Sequence, residues 1–250
     1  METFKKGSFI EDRVKKTSER ALTDQELIEY GIDNIPFPKN ALIELTSNCN
    51  HACVFCTNPR MMRKAGKLDL NFFEKFIKDA VNLGLEEVGF YTTGEPLMSK
   101  NLINFIEIAK LNSIKYIYIT TNGGLAKLSV MKKLINAGLN SVKFSINAGS
   151  KETYELIHGR NDFDKVLNNL KDLRNFIDSD NKDVKLLSSF VVTRQSMHEI
   201  DKYKNIIGPL VDDYIILGVK GQSGQSLKQL KELNCELTPE YPQLGEASPC

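Results

Sequence analysis

Ala41-Leu42-Ile43-Glu44-Leu45-Thr46-Ser47-Asn48-Cys49-Asn50-His51-Ala52-Cys53-Val54-Phe55-Cys56 joins a strand-like apolar run directly to three of the chain's five cysteines. Three thiolates can hold three irons of a [4Fe–4S] cluster, which ordinarily takes four cysteines, and the fourth iron would then be open to a small molecule. Tetrahedral zinc would need one more ligand, for which His51 is close in sequence and Cys235 or Cys250 could fold back. Spacings of four and three also set the sulfurs on one helical face, so three inert structural thiols are the third reading. The rest of the chain has to decide among them.

Outward from this stretch, β-rich runs alternate with helical patterns. The apolar spacing predicts strands at 41–46, 86–92, 114–120, 140–146, 184–193 and 212–218. Between them, Leu70, Phe73, Phe76, Ile77, Ala80 and Val81 share one helical face, and Phe163, Val166, Leu167, Leu170, Leu173 and Ile177 share another. Gly84 and Gly138 follow helical patterns and read as C-terminal caps. Successive βα units demand parallel strands joined by right-handed crossovers. The six span 41–218, short of the ~250 residues of a closed eight-fold barrel. An α/β fold, an open partial (βα)6 barrel of parallel strands with outer helices, is therefore expected, ahead of a flat doubly wound sheet. Residues 1–40 read as an N-terminal extension with a helix near Asp24 to Tyr30, broken by Pro36 and Pro38; 41–218 form the core, and 219–250 a linker.

Composition narrows the function classes. With 41% hydrophobic residues in 250, the chain can bury a full core. A net charge of +1 supplies no field for nucleic acid or an anionic membrane, and the mixed charges of the N-terminus read as a solvated arm. No run approaches the ~20 apolar residues of a membrane span, so no membrane association is expected. An odd number of cysteines with three crowded together suits a reducing cytoplasm better than a disulfide framework.

In parallel α/β folds ligands sit at the C-terminal ends of the strands. Here the second strand ends at Thr92-Thr93-Gly94-Glu95-Pro96, the third at Thr120-Thr121-Asn122-Gly123-Gly124 and the fourth at Ser145-Ile146-Asn147. Each has a plain explanation. The third is ordinary turn chemistry, the fourth could cap a helix, and Gly-Glu-Pro could be a turn. Together, at successive strand ends beside the cysteines, they describe a polar ligand site.

These elements resemble the radical S-adenosylmethionine (radical SAM) superfamily. Cys49, Cys53 and Cys56 match its Cys-x3-Cys-x2-Cys signature, with Phe55 as the aromatic before the last cysteine. Thr93-Gly94-Glu95-Pro96 matches Gly-Gly-Glu-Pro with threonine for the first glycine. Thr121-Asn122-Gly123 and Ser145-Ile146-Asn147 match the two later strand ends. The resemblance implies a [4Fe–4S] cluster on the three cysteines whose open iron chelates S-adenosylmethionine, reductively cleaved to a 5′-deoxyadenosyl radical that abstracts hydrogen from an organic substrate. It implies that Glu95 takes the cofactor's ammonium, with backbone of Thr93 and Gly94 nearby. Phe55 would meet the adenine, Ser145 and Asn147 the ribose or carboxylate, and Thr121 would lie along the same ligand. Electrons would come from a donor such as flavodoxin or ferredoxin.

Arg160 and Arg194 are secondary candidates for an anionic group, while His51, His158 and His198 show no mutual metal-ligand spacing. Ala247-Ser248-Pro249-Cys250 resembles the entry to the SPASM or twitch domain found in one branch of the family. That would make Cys250 a ligand of an auxiliary cluster and place further chain beyond it. Relatives in that branch modify peptides, sugars and aminocyclitols, so the substrate is expected to be a small molecule or a peptide. The rival is a zinc-stabilised βα binding module, which would need neither Gly-Glu-Pro nor the Ser-x-Asn strand end.

Overall fold

The structure, a computed structural model, describes residues 3–4, 8–19, 23–30 and 35–219. Its centre is a seven-stranded sheet. In chain order the strands are β1 (Thr3–Phe4), β2 (Asn40–Leu42), β3 (Glu87–Phe90), β4 (Tyr116–Thr121), β5 (Ser141–Ser145), β6 (Lys185–Val192) and β7 (Asp213–Gly218). The helices are α1 (Phe9–Glu19), α2 (Asp24–Tyr30), α3 (Leu70–Asn82), α4 (Leu102–Leu111), α5 (Leu128–Ala137), α6 (Lys151–His158), α7 (Phe163–Ser179) and α8 (Ile200–Ile207).

β2 to β7 pair in parallel and in sequential order, and β1 adds antiparallel to β7. That order decides between the two candidate architectures. A doubly wound sheet reverses its strand order to put helices on both faces. Here successive right-handed crossovers lay α3 to α8 on one face, and the sheet curls into a half-barrel around the other. Among the described residues, no helix is long and apolar enough to cross a membrane.

Strand alternation separates the faces. Val88, Phe90, Ile117, Ile119, Val142, Phe144, Leu186 and Phe190 are buried against helical residues such as Phe73, Phe105, Leu134, Tyr154 and Leu170. Both predicted helical faces lie in this core. Asp69 caps α3 by accepting from Phe72 N at 2.9 Å, and Gly84 and Gly138, at φ +109° and +116°, end α3 and α5 as their sequence positions suggest.

The strands are shorter than predicted, β2 most of all. After Ile43 the chain leaves the sheet, because Leu45 and Ser47 accept from and donate to Leu68 and Gly66 (3.0 and 3.1 Å) and so pinch 48–65 into a closed loop.

A second difference concerns the N-terminus, whose mixed charges suggested a solvated arm. Phe9, Ile10 and Arg13 instead pack on the concave face, while Asp12, Lys15 and Lys16 are exposed. Ile10 is buried with Leu187 and Ile215, and its amide donates to Asp213 Oδ2 at 2.8 Å. Arg13 lies 4.0 Å from the Tyr116 ring centre and pairs with Glu87 at 2.5 Å. Two apolar residues and one cation, a turn apart, make an inward stripe that a charge inventory does not see. Residues 220–250, with Cys235 and Cys250, lie outside the described residues.

Candidate functional site

The cysteine loop lies across the C-terminal rim of the barrel, tied to its neighbours by backbone. Ala52 N and Val54 N donate to the carbonyls of His158 and Ile157, at 3.0 and 2.9 Å, fastening the loop to the end of α6. Glu95 N donates to Asn48 O at 2.8 Å. Asn58 Nδ2 bridges Ser47 O (2.7 Å) and Thr93 O (3.1 Å). The approach of loop and strand end is so close that a Cβ on Gly94 would fall 1.8 Å from Thr46 O. The glycine is required by the crossing of two backbones.

Each thiol faces a nitrogen. His51 N lies 3.5 Å and Asn122 Nδ2 3.8 Å from Cys49 Sγ, Asn58 N lies 3.4 Å from Cys56 Sγ, and His158 Nδ1 lies 3.5 Å from Cys53 Sγ. Burial pushes all three thiols above their ordinary range, Cys53 furthest. Deprotonation therefore calls for a cation, and the N–H groups facing Cys49 and Cys56 are placed to share the thiolate charge. Among the described residues, the only three ligand atoms of His, Cys or carboxylate lying within 4.8 Å of one another belong to His51, Cys53 and His158. Three thiols on one loop suit three irons of a polynuclear cluster, whereas a single tetrahedral ion would take a fourth ligand.

Glu95, 3% exposed, links two strand ends. Its Oε1 accepts from Thr121 Oγ1 (2.7 Å) and Leu97 N (3.1 Å), and its Oε2 from Asn122 N (2.8 Å). Burial nevertheless raises its pKa from 4.5 to about 7. A carboxylate has about four acceptor positions, and the protein fills three. Thr93 N donates to Glu44 Oε2 at 3.2 Å, and Glu44 also pairs with Arg63.

Ser145 and Asn147 do not cap the next helix; Ser150 does, accepting from Thr153 N at 3.3 Å. Ser145 is half-buried and receives Asn147 Nδ2 at 3.3 Å. Asn147 itself is wholly buried, its Oδ1 accepting from Val191 N at 2.7 Å. Phe55 is half-buried in the loop, whereas Arg160, Arg194 and His198 are exposed.

Sequence spacing missed the histidine pair. His51 and His158, 107 residues apart, meet with Nδ1 atoms 3.2 Å apart, while His51 Nε2 lies 3.3 Å from Asp162 Oδ2. Tyr154 stacks on His158 at 4.0 Å. Burial depresses both imidazoles, His158 well below the usual range. The one available signal was helical: Tyr154 and His158 stand four apart on the face of α6 that also buries Ile157.

A family model described as Radical SAM superfamily matches residues 43–203. A "Probable GTP 3',8-cyclase" of Saccharolobus islandicus (strain M.14.25 / Kamchatka #1) is 34% identical over 164 residues, covering 64% of this chain and 50% of that protein. A "GTP 3',8-cyclase" of Clostridium acetobutylicum is 33% identical over 132 residues, covering 51% and 41%. The chain thus spans about half the length of the curated relatives it matches. Among solved structures, Streptococcus suis SuiB bound to precursor peptide SuiA superposes with a TM-score of 0.65 at 19% identity, covering 83% of this chain and 47% of that one. At that identity the likeness concerns the fold.

Proposed function

The chain belongs to the radical SAM superfamily, a family of enzymes that use a [4Fe–4S] cluster and S-adenosylmethionine, and we propose that Cys49, Cys53 and Cys56 hold that cluster. Phe55, Thr93, Gly94, Glu95, Thr121, Ser145 and Asn147 then form the rim that takes the cofactor. The observation that carries this reading is the cysteine loop itself, three thiols each facing a nitrogen and laid against two strand ends. When bound, the cluster supplies the electron that splits S-adenosylmethionine to a 5′-deoxyadenosyl radical, which removes hydrogen from substrate.

The chain's own residues bind and orient. Glu95 keeps one acceptor position on Oε2 for the cofactor's ammonium, while its other bonds hold the ends of β3 and β4 together. Gly94 leaves backbone accessible there. Asn147 donates to Ser145 Oγ, which turns the serine hydroxyl hydrogen toward a ligand oxygen. α1 closes the opposite end of the concave face.

The substrate is an organic small molecule or a peptide, and electrons come from a donor such as flavodoxin or ferredoxin. The names of the curated relatives make a purine nucleoside triphosphate the first small molecule to try, and a peptide the second. The test is 5′-deoxyadenosine release from S-adenosylmethionine by anaerobically reconstituted, reduced protein. Slow release without substrate, abolished by Cys53→Ala, is expected, and acceleration by GTP would assign the nucleotide class. No release under strong reduction would overturn the reading.

A further inference from the structure

We infer that His158 is a positioning residue for the iron–sulfur cluster, its Nδ1–H donating to Cys53 Sγ and stabilising the reduced state. This rests on the assignment of Cys49, Cys53 and Cys56 as cluster ligands. The hydrogen-bond network assigns the tautomer. Val191 N donates to Asn147 Oδ1 at 2.7 Å, which fixes the orientation of that side-chain amide. Asn147 therefore presents two N–H groups to His158 Nε2, from its backbone at 3.4 Å and from Nδ2 at 3.2 Å. An Nε2 facing two donors must be the acceptor, so the ring proton sits on Nδ1. That proton points between two acceptors, His51 Nδ1 at 3.2 Å and Cys53 Sγ at 3.5 Å. His51 can accept because its own proton is directed from Nε2 to Asp162 Oδ2 at 3.3 Å. Tyr154, stacked at 4.0 Å with an interplanar angle of 13°, holds the ring in place.

The same network argues against the other use of this trio. His51, Cys53 and His158 are compact enough to surround one metal ion. Metal on His158 Nδ1 would move the proton to Nε2, directly against the two Asn147 donors. A hydrogen-bond donor to a ligating sulfur is the arrangement the surroundings support. Such bonds stabilise the added negative charge of a reduced cluster and raise its potential. His51, by sharing the same proton, weakens the bond to sulfur.

Two measurements test this. In the metal-free protein, 15N NMR of the imidazoles should find His158 protonated at Nδ1; protonation at Nε2 would overturn the assignment. In the anaerobically reconstituted full chain, iron content is measured first, then the cluster's midpoint potential by EPR-monitored titration. His158→Leu should shift the potential to a more negative value, and His158→Asn, whose amide N–H can stand where Nδ1–H stood, should restore much of it. His51→Leu, which removes the competing acceptor, should shift it the other way. Unchanged potentials in variants that retain iron would contradict the inference. If His158→Leu holds no iron, the opposite shift in His51→Leu becomes the deciding result, and its absence is equally contrary. A parent protein without iron would instead defeat the cluster assignment itself.

Discussion

The two ends of the half-barrel's concave face are sealed by different physics. At the N-terminal end α1 closes the sheet with a stacked guanidinium, an ion pair and two apolar side chains: Arg13 over Tyr116 and on Glu87, with Phe9 and Ile10 packed against Leu187 and Ile215. Asn40 and Tyr118 extend that network, Asn40 donating to Glu87 at 2.9 Å and Tyr118 to Asn40 at 2.9 Å. At the C-terminal end almost nothing is apolar. Backbone crosses backbone at Gly94, and hydrogen bonds from Asn58 Nδ2 to Ser47 O and Thr93 O, from Asn122 Nδ2 to Asn50 Oδ1 and from Glu95 N to Asn48 O hold the loop in place. One end is a plug that tolerates exchange of similar groups. The other is a polar frame held by backbone and side-chain amides, in which the protein fills three of the four acceptor positions of Glu95.

The largest effect should come from violating the frame where it is tightest. Gly94→Val places side-chain atoms onto Thr46 O, and the loop must move. A stability loss on the order of 1–3 kcal/mol or more is expected by thermal denaturation, with failure to retain iron. A variant that unfolds like the parent would show that the crossing is not a constraint.

The plug should cost less. Arg13→Leu keeps apolar volume but removes the ion pair to Glu87. Losing a charge-assisted bond should destabilise by roughly 1.5–3 kcal/mol while leaving iron binding at the parent level. Loss of iron in this variant would mean that the two ends are coupled.

The pH dependence of the frame should be similar in size to the loss of the plug's ion pair. Glu95 titrates near 4.5 when unfolded and near 7 when folded. Between those values the folded state holds a proton that the unfolded state has released. Its contribution is therefore complete below the unfolded value and is lost as pH rises through the folded one, amounting to roughly 3 kcal/mol. The metal-free protein should lose thermal stability from about pH 4.5 to about 7, and Glu95→Gln should flatten that slope. A parallel slope in both proteins would assign the dependence to other groups.

The comparison also explains what could be read in advance. Strand order, crossover hand and the outer core follow from patterns of period 2 and 3.6, which depend on neighbours in sequence. Phe73, Val166 and Ile119 were legible for that reason. The rim was legible where residue type alone carries meaning, as with the cysteines and Gly-Glu-Pro. Three things were not. Arg13 looked like one more surface cation, since nothing local distinguishes a charge that will stack under a sheet. Asn147 looked like a ligand contact or a cap, and its burial behind Ser145 depends on Val191, 44 residues away. His51 and His158 pair across 107 residues through the fold alone.

The central claim is that the frame at the rim is built around three cysteines that share a polynuclear cluster. Its most direct test is iron and acid-labile sulfide analysis of anaerobically reconstituted protein, beside single replacements of Cys49, Cys53 and Cys56 by alanine. About four irons and four sulfides per chain, bleaching in air and lost in each variant, is the expected result. Stoichiometric zinc without sulfide, retained when Cys49 or Cys56 is replaced, would contradict it.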